Sequence, residues 1–378
     1  MVSHLATELV NKFANNATRI LDPFCGSGAI LVASRQRGIP TTGIDLNPVA
    51  FLLSSVKSLP FDRDKAIELC RRLVTSAKTC RRPMLINWPS KRYWFTDGTL
   101  SELEKLRFAA RQLDLQCSPE GNFVLLALAM TVRPCSRADQ RSPKPFISKI
   151  AIEDRKWKHY DPYKILLELG QVMGDCYGSL NSTDKSAVIL SDFNSSTLTS
   201  NFIGSYSHVI TSPPYINAQD YFRNFKLEMY ILEGLLDFEI KECKEKMIGT
   251  ERGNLRSNVD SSTIARNLKM VTGLRQIETK SARLASTIHS YFKKMDDTIE
   301  KIYTVLGSDG KFVLVCGDNL IAGQRIKTWK ILSRLAEERG FKLYDKFSDK
   351  IQNRSLPPKR SGHKGLIKEE VILAFSKA

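Results

Sequence analysis

One stretch near the start of the chain restricts the fold more than any other part of the sequence. Residues 19–21 are predicted to form a short buried strand that runs into a glycine-containing turn at 22–28, and no helix breaker follows until Gly38. The segment PTTGIDLNP is then a second short strand that ends in Asp45. Strand, turn, helix and strand in this order are typical of a βαβ unit, whose strands are parallel and whose crossover is right-handed. We therefore expect an α/β protein with a doubly wound, mostly parallel sheet.

The remaining strand-like segments are separated by long helical stretches. Strands are predicted at 186–192, 205–215 and 311–318, and FKLYDKFSDKI and EEVILAF near the C-terminus predict a terminal antiparallel pair that closes the sheet. Two largely helical insertions interrupt the sheet, one between its second and third strands and one after its fourth. The expected organisation is 1–60, first part of the sheet domain; 61–180, helical insert with a basic loop; 181–235, second part of the sheet domain; 236–300, polar helical insert; and 301–378, end of the sheet domain.

Net charge and composition narrow the class of protein. The chain has 57 Lys and Arg against 40 Asp and Glu, a formal charge of +17, which favours a polyanionic partner; a solvated basic surface is the alternative. No apolar run approaches the ~20 residues that span a bilayer, and the first residues lack a signal-peptide pattern, so we expect a cytoplasmic protein. The eight Cys form no CxxC pair and the five His show no ligand spacing, so no metal site is expected.

The turn at 22–28, DPFCGSG, carries two glycines at the carboxyl end of a strand. Gly26 and Gly28 let the backbone approach a ligand closely at the place where doubly wound sheets bind ligands. The dinucleotide pattern GxGxxG is absent because position 31 is Leu, and there is no Walker A lysine. A nucleotide held through its phosphates is therefore disfavoured, and an ordinary tight turn is the alternative.

Two acidic residues follow predicted strands. Asp45, seventeen residues after Gly28, is placed to accept hydrogen bonds from two ribose hydroxyls, and the alternative is that it caps the next helix. Asp192, after the third strand, is placed to accept a hydrogen bond from an adenine amino group, and the alternative is a cap on the turn at Asn194.

The segment Thr211-Ser-Pro-Pro-Tyr215 follows the fourth strand. Its two prolines fix φ at successive positions and remove two hydrogen-bond donors, so the segment is stiff and its carbonyls point in defined directions. Tyr215 is an aromatic that can stack on a base. The alternative is a rigid turn with a packed tyrosine.

These motifs together resemble the S-adenosylmethionine-dependent amino-methyltransferases of DNA, which have a Rossmann-like sheet. In that family a motif like DPFCGSG holds the methionine part of the cofactor, an acid after the second strand holds the ribose, and a Pro-Pro motif holds the target amine. The Ser form of that motif resembles the cytosine-N4 branch, whereas Asp or Asn is usual in adenine-N6 enzymes. The resemblance covers about 1–60, 185–235 and 300–378. It implies cofactor contacts from Asp22, Pro23, Phe24, Cys25, Gly26, Gly28, Asp45, Asn47 and Asp192, and catalytic roles for Ser212, Pro213, Pro214 and Tyr215.

The chemistry expected from this resemblance is an attack by an exocyclic amine on a methyl sulfonium. The amine lone pair is delocalised into the ring, and acceptors on its two N–H groups, the Ser212 side chain and the Pro213 carbonyl, would localise it. The target nucleotide has to leave the duplex to reach such a pocket, and Tyr215 would stack on it. A C5-cytosine enzyme would need a nucleophilic cysteine, and Cys135, although it follows a proline, lies in a basic loop and is interpreted as incidental. Cys25 is interpreted as a packing residue.

Duplex DNA is the expected partner, and a cognate restriction endonuclease would be a second one in a restriction–modification system. A DNA-bound enzyme would be associated with the nucleoid. Three basic segments, 133–158, 252–283 and 355–365, are candidates for DNA contact, and we expect the first to lie on the Ser212 side of the sheet. Their predicted contact residues are Arg133, Arg137, Arg141, Lys144, Arg252, Arg256, Lys359, Arg360 and Lys364.

Four functions stay open at this point. The first is a cytosine-N4 DNA methyltransferase and the second an adenine-N6 enzyme. The third is an RNA guanine-N2 methyltransferase, although those enzymes usually carry Asp or Asn before the prolines and an N-terminal RNA-binding domain, which we do not expect here. The fourth is a non-catalytic nucleic-acid-binding subunit, for which an intact Ser-Pro-Pro-Tyr segment would not be needed.

Overall fold

A computed structural model describes residues 1–142, 144–149, 152–153, 160–178, 188–190, 204–216, 221–248, 274–350 and 369–377. The strands are β1 (Ile20–Asp22), β2 (Thr41–Gly43), β3 (Val188–Leu190), β4 (Tyr206–Thr211), β5 (Leu306–Gly317), β6 (Asn319–Ile321), β7 (Gln324–Ile326), β8 (Phe341–Lys350) and β9 (Glu369–Lys377). The helices are α1 (Ser3–Phe13), α2 (Ala29–Arg35), α3 (Pro48–Ser58), α4 (Arg63–Thr79), α5 (Lys91–Trp94), α6 (Asp97–Gln112), α7 (Pro119–Val132), α8 (Pro162–Gly178), α9 (Tyr221–Asn224), α10 (Lys226–Leu232), α11 (Ile240–Lys246), α12 (Leu274–Lys280), α13 (Ala282–Val305) and α14 (Thr328–Glu338), with a 3₁₀ helix at Leu115–Cys117.

Seven strands form one sheet in the order β3-β2-β1-β4-β5-β9-β8. The first five strands of that order are parallel to one another, and β9 is antiparallel to both of its neighbours. The strand β9 therefore enters between β5 and β8, so the last two strands form the predicted terminal antiparallel pair. The prediction of a mostly parallel α/β sheet with a terminal antiparallel strand is confirmed.

Helices cover both faces of this sheet. On one face α1 and α2 pack through Leu5, Leu9 and Ile30 against side chains of β5 and β9. On the other face α13 and α14 pack on the opposite side chains of the same strands, with Ile299 and Leu332 fully buried. Residues 312–316 of β5 and 371–375 of β9 are continuous apolar runs, because in these parts the side chains on both faces of the sheet are buried.

The insertion between β2 and β3 has a hydrophobic core of its own. Helices α4, α6, α7 and α8 pack together there, and α3 and α10 contribute side chains to the same core. The side chain of Arg107 on α6 is buried and donates to the carbonyls of Ile231 and Glu233 at the end of α10. These bonds satisfy helix-terminal acceptors and fix the insertion to the chain segment that follows the Ser-Pro-Pro-Tyr motif.

The predicted helices at 3–14, in the two insertions and before the last strands are all present within the described residues. Several short elements were not predicted, among them β6 and β7, which pair as a separate small antiparallel hairpin directly after β5. Across the described part of the chain, no helix combines the length and the apolar composition that crossing a bilayer requires.

Candidate active site

The glycine turn and the Ser-Pro-Pro-Tyr segment lie side by side at the carboxyl edge of the sheet. Strands β1 and β4 are parallel neighbours, with Leu21 opposite Val209, so the residues that follow them emerge at the same edge. The Thr211 hydroxyl donates to the Asp22 carboxylate over 2.6 Å, which joins the two motifs directly. The chain reverses its winding between these two strands, and crevices of doubly wound sheets form at such switch points.

Backbone geometry accounts for both glycines of the turn. Gly26 and Gly28 have φ values of +51° and +80°, in the left-handed region that disfavours other residues. A Cβ on Gly28 would lie 2.9 Å from the Cβ of Ser54 on α3, whereas a Cβ on Gly26 would meet no atom within 4 Å. Gly28 therefore allows the turn to pack on α3, and Gly26 leaves open space in front of the turn.

Asp45 is held in place by the turn and by the start of α3. Its two carboxylate oxygens accept backbone hydrogen bonds from Gly26 over 2.9 Å and from Asn47 over 2.8 Å. The cap of α3 is Asn47, whose side chain accepts from the Val49 amide, so the alternative that Asp45 caps the helix is wrong. A carboxylate has about four acceptor positions, so Asp45 keeps two for a ligand.

A cavity of about 300 Å³ opens in front of these residues. Its lining is largely apolar and includes both Asp45 and Ser212. It is lined by Met1, Pro23, Phe24, Gly26, Ser27, Asp45, Leu46, Asn47, Ala50, Leu53, Ser212, Pro214, Phe225, Lys246, Met247 and Ile248. Leu46, Leu53 and Phe225 also pack against the core of the helical insertion, so that insertion borders the cavity.

Two predicted cofactor residues lie behind the cavity wall. Asp22 is 3% exposed, and burial raises its pKa to about 7 in spite of the hydrogen bonds that it accepts from Thr211 and Phe24. Burial also raises the pKa of the Cys25 thiol, which packs on Leu31, so the interpretation of Cys25 as a packing residue is consistent with its position. The pKa of Asp45 is raised by burial as well.

The Ser-Pro-Pro-Tyr segment is fixed at both ends. Thr211 is bound to Asp22, and the Ile216 carbonyl accepts a 2.9 Å hydrogen bond from the side chain of the buried Asn319. The Tyr215 hydroxyl donates to the carboxylate of Glu370 on β9. The Ser212 hydroxyl, at the cavity wall, makes no hydrogen bond to a described residue.

The structure brings most of the predicted site residues together. Among them, Pro23, Phe24, Gly26, Asp45, Asn47, Ser212 and Pro214 line the cavity. Asp22, Cys25, Gly28, Pro213 and Tyr215 lie next to these residues but do not line it. Asp192 lies outside the described residues.

Part of the first basic segment, 133–158, is buried, although the sequence predicts a basic loop there. Cys135 and Ala138 are buried, and Arg133 donates to the Ser142 carbonyl and faces the buried Glu228, whose pKa burial raises to about 7. Arg141 pairs with Asp139 over 2.5 Å. This packing could not be predicted from the sequence, because the segment is rich in proline and charged residues and its buried residues follow no helical or strand periodicity.

Arg137 likewise donates to a backbone carbonyl, that of Arg92, and Lys144 is half-buried. DNA contact by Arg133, Arg137, Arg141 and Lys144 stays a prediction. Arg252, Arg256, Lys359, Arg360 and Lys364 lie outside the described residues.

Sequence analysis missed Glu370 and Asn319, the two residues that hold Tyr215 and Ile216. Both come from strands more than a hundred positions away from their partners, and neither stands in a motif. Only the pairing of β5 with β9, which sets Gly317 opposite Glu370, brings the Glu370 carboxylate to the tyrosine.

Comparison with known proteins gives several relatives of low identity. No protein-family model matches the chain. Type II methyltransferase M.AvaI of Nostoc is 24% identical over 391 residues, which cover 90% of this chain and 76% of the relative. Type II methyltransferase M.BsoBI of Geobacillus stearothermophilus is 23% identical over 90% of this chain and 76% of its own. Type II methyltransferase M.MvaI of Kocuria varians is 22% identical over 99% of this chain and 88% of its own. The similarity therefore extends across the sheet and both insertions.

Proposed function

We propose that this chain transfers a methyl group from S-adenosylmethionine to the exocyclic N4 amine of a cytosine flipped out of duplex DNA, as the modification enzyme of a restriction–modification system. The observation that carries the proposal is the shared cavity, which is lined both by Asp45 and the glycine turn, here called the cofactor end, and by Ser212 and Pro214, here called the amine end. A methyl donor and a methyl acceptor need this arrangement, since proximity and orientation supply most of the acceleration.

The residues at the cofactor end fit S-adenosylmethionine. Asp45 keeps acceptor positions for the two ribose hydroxyls, Phe24 and Leu53 offer apolar surface, and Gly26 leaves space for close approach. Bound there, S-adenosylmethionine supplies an electrophilic methyl group on a positively charged sulfur. The turn contains neither a phosphate-binding lysine nor the GxGxxG pattern, which disfavours a nucleotide phosphate at the same place.

The amine end supplies hydrogen-bond acceptors for the target amine. The Ser212 hydroxyl and the Pro213 carbonyl are proposed to accept from the two N–H groups of the target amine, which concentrates its lone pair on nitrogen. Neither proline carries an N–H, so no backbone donor from these two residues competes with the amine. Tyr215, oriented by Glu370, is proposed to stack on the extruded base.

Two further observations favour duplex DNA as the substrate. The relatives are type II methyltransferases, a class that modifies DNA at restriction sites. The formal charge of +17 provides a general attraction for phosphates. The choice of cytosine over adenine rests on the serine in the Ser-Pro-Pro-Tyr segment.

The test is transfer of labelled methyl from S-adenosylmethionine to duplex DNA, followed by digestion to nucleosides and identification of the product by mass. We expect N4-methylcytosine from the wild-type protein and its loss in Ser212→Ala. N6-methyladenine would keep the mechanism and refute the choice of base. Label in RNA alone, or in no nucleic acid, would refute the proposal.

A further inference from the structure

A small hairpin stands beside the candidate active site and has no role in the function proposed above. It is formed by β6 and β7 and begins two residues after the end of β5. Its two-residue turn, Ala322 and Gly323, has positive φ at both positions, +51° and +84°, which is the geometry of a tight type I′ hairpin. The hairpin is therefore a compact and stiff projection.

The inner side of this hairpin is anchored to the catalytic segment. Asn319 is 4% exposed and donates from its side chain to the Ile216 carbonyl, directly after Tyr215. Thr328 at the start of α14 donates to the other side-chain atom of Asn319 over 3.0 Å. Ile321 and Ile326 are buried in the core beneath the sheet. The hairpin is thus hydrogen-bonded directly to the residue that follows the Ser-Pro-Pro-Tyr segment.

The outer side presents one apolar and one basic residue. Leu320 and Arg325 are opposite each other across the hairpin, and Leu320 is 41% exposed. Arg325 and Lys327 are exposed and make no hydrogen bond or ion pair to a described residue. Residues 319–330 contain three basic side chains and no acidic one, and the Asp318 carboxyl at the base of the hairpin interacts electrostatically with both Arg325 and Lys327.

We propose that the β6–β7 hairpin is a wedge that enters duplex DNA at the target site: Leu320 occupies the space left by the extruded base, and Arg325 binds the adjacent phosphate. This inference rests on the proposed function. The carboxyl edge that carries Ser212 must face the duplex if a base is to reach the cavity, and the hairpin lies at the same edge, because it directly follows β5, the parallel neighbour of β4. Apolar side chains inserted between base pairs offset the cost of unstacking, and a neighbouring guanidinium neutralises backbone charge.

The experiment separates extrusion of the base from binding and from chemistry. The sites that the wild-type protein methylates in plasmid DNA are mapped first. Single-turnover methyl transfer is then measured on two short duplexes that carry one such site, one with the target base paired and one with an abasic position opposite it. The abasic duplex removes most of the cost of extrusion, because the target base has no pairing partner to leave.

We expect Leu320→Ala to slow transfer about tenfold on the paired duplex and to match the wild-type rate on the abasic duplex. Arg325→Ala is expected to weaken binding of both duplexes and to lower the salt slope of the binding constant by about one. The matched controls are Val172→Ala, which truncates an exposed apolar residue on α8, and Lys342→Ala, which removes a charge at the opposite edge of the sheet. Both are expected to behave as wild type.

Equal slowing of Leu320→Ala on both duplexes, or no slowing on either, would refute the wedge while the proposed function stands. An unchanged salt slope in Arg325→Ala would refute its phosphate contact. A wild-type protein that methylates no duplex would refute the proposed function, and the wedge with it. Affinity for S-adenosylmethionine and the melting temperature of each variant show whether the hairpin substitutions disturb the fold.

Discussion

The two ends of the cavity are built from opposite kinds of backbone. At the cofactor end the glycine turn and Asp45 are hydrogen-bonded to each other, and each of the two Asp45 oxygens already accepts a main-chain amide. At the amine end the two prolines have no N–H, and the Ser212 hydroxyl has no partner within the described residues.

Under the proposed function, this difference corresponds to two tasks. The cofactor end would bind the same ligand in every turnover, and preformed contacts reduce the entropy lost on binding. At the amine end the hydrogen-bond donors would come with the substrate. The Thr211–Asp22 hydrogen bond connects the strands that carry the two ends. Substitutions can therefore test each end by itself, although both ends depend on the same pair of strands.

The largest effect is expected at the amine end. Ser212→Ala should lower the rate of methyl transfer at saturating substrates about 10²–10³-fold, as in the loss of one preorganised polar contact to a reacting group. The dissociation constant of S-adenosylmethionine should stay unchanged. Ser27→Ala removes a hydroxyl from the glycine turn of the same cavity; it should keep the rate at saturating substrates, and any loss should appear in the dissociation constant of S-adenosylmethionine. Equal losses in both variants would remove the distinction between the two ends.

The connecting carboxyl is expected to make stability depend on pH. Burial raises the pKa of Asp22 to about 7 in the folded chain. Between the ordinary pKa of an aspartate and pH 7, this carboxyl is therefore mostly ionised in the unfolded chain and mostly protonated in the folded chain. Wild-type stability should therefore fall as pH rises towards 7, whereas Asp22→Asn lacks this loss and keeps the acceptor for Thr211. The unfolding free energy of Asp22→Asn relative to wild type should rise by about 3 kcal/mol between about pH 5 and about pH 8. Denaturant unfolding at both pH values measures it, and a constant difference would contradict the raised pKa.

A smaller effect is expected at the cofactor end. Asp45→Asn should weaken S-adenosylmethionine binding about 10–100-fold, because a charged acceptor of hydroxyl hydrogen bonds is lost. The rate at saturating cofactor should change little. Asp62→Asn, which alters an acid that caps α4 away from the cavity, is the control. Calorimetric titration measures the affinities, and equal weakening in both variants would exclude a direct contact from Asp45.

The smallest effect is expected from the residue behind Tyr215. Glu370→Ala should raise the KM for DNA about threefold, since one hydrogen bond that orients the ring is lost. Glu370→Gln keeps an acceptor for the tyrosine hydroxyl and should restore the KM. The exposed neighbour in Glu369→Ala serves as control. If the KM for DNA were raised equally in Glu370→Gln and Glu370→Ala, the effect would depend on the charge of Glu370 and not on its hydrogen bond. That result would contradict an orienting role.

Much of the fold and about half of the site could be predicted because they depend on local geometry. Gly26 and Gly28 adopt positive φ values, and the two prolines stiffen their segment. Both properties follow from the type of a single residue, so the sequence alone indicates them. The glycine turn, Asp45 and Ser212 follow strands whose ends meet at one edge of any parallel sheet. Their presence in one cavity was therefore predictable from the order of elements.

Tertiary structure alone decided which distant residues meet. Thr211 reaches Asp22 across 189 positions, and Glu370 reaches Tyr215 across 155. The burial of Cys135 and Ala138 and the outward pair of Leu320 and Arg325 are likewise invisible in the sequence. Strand register and packing between helices depend on the whole core rather than on neighbouring residues, so motifs determined what chemistry the chain carries, and the assembled sheet determined what surrounds it.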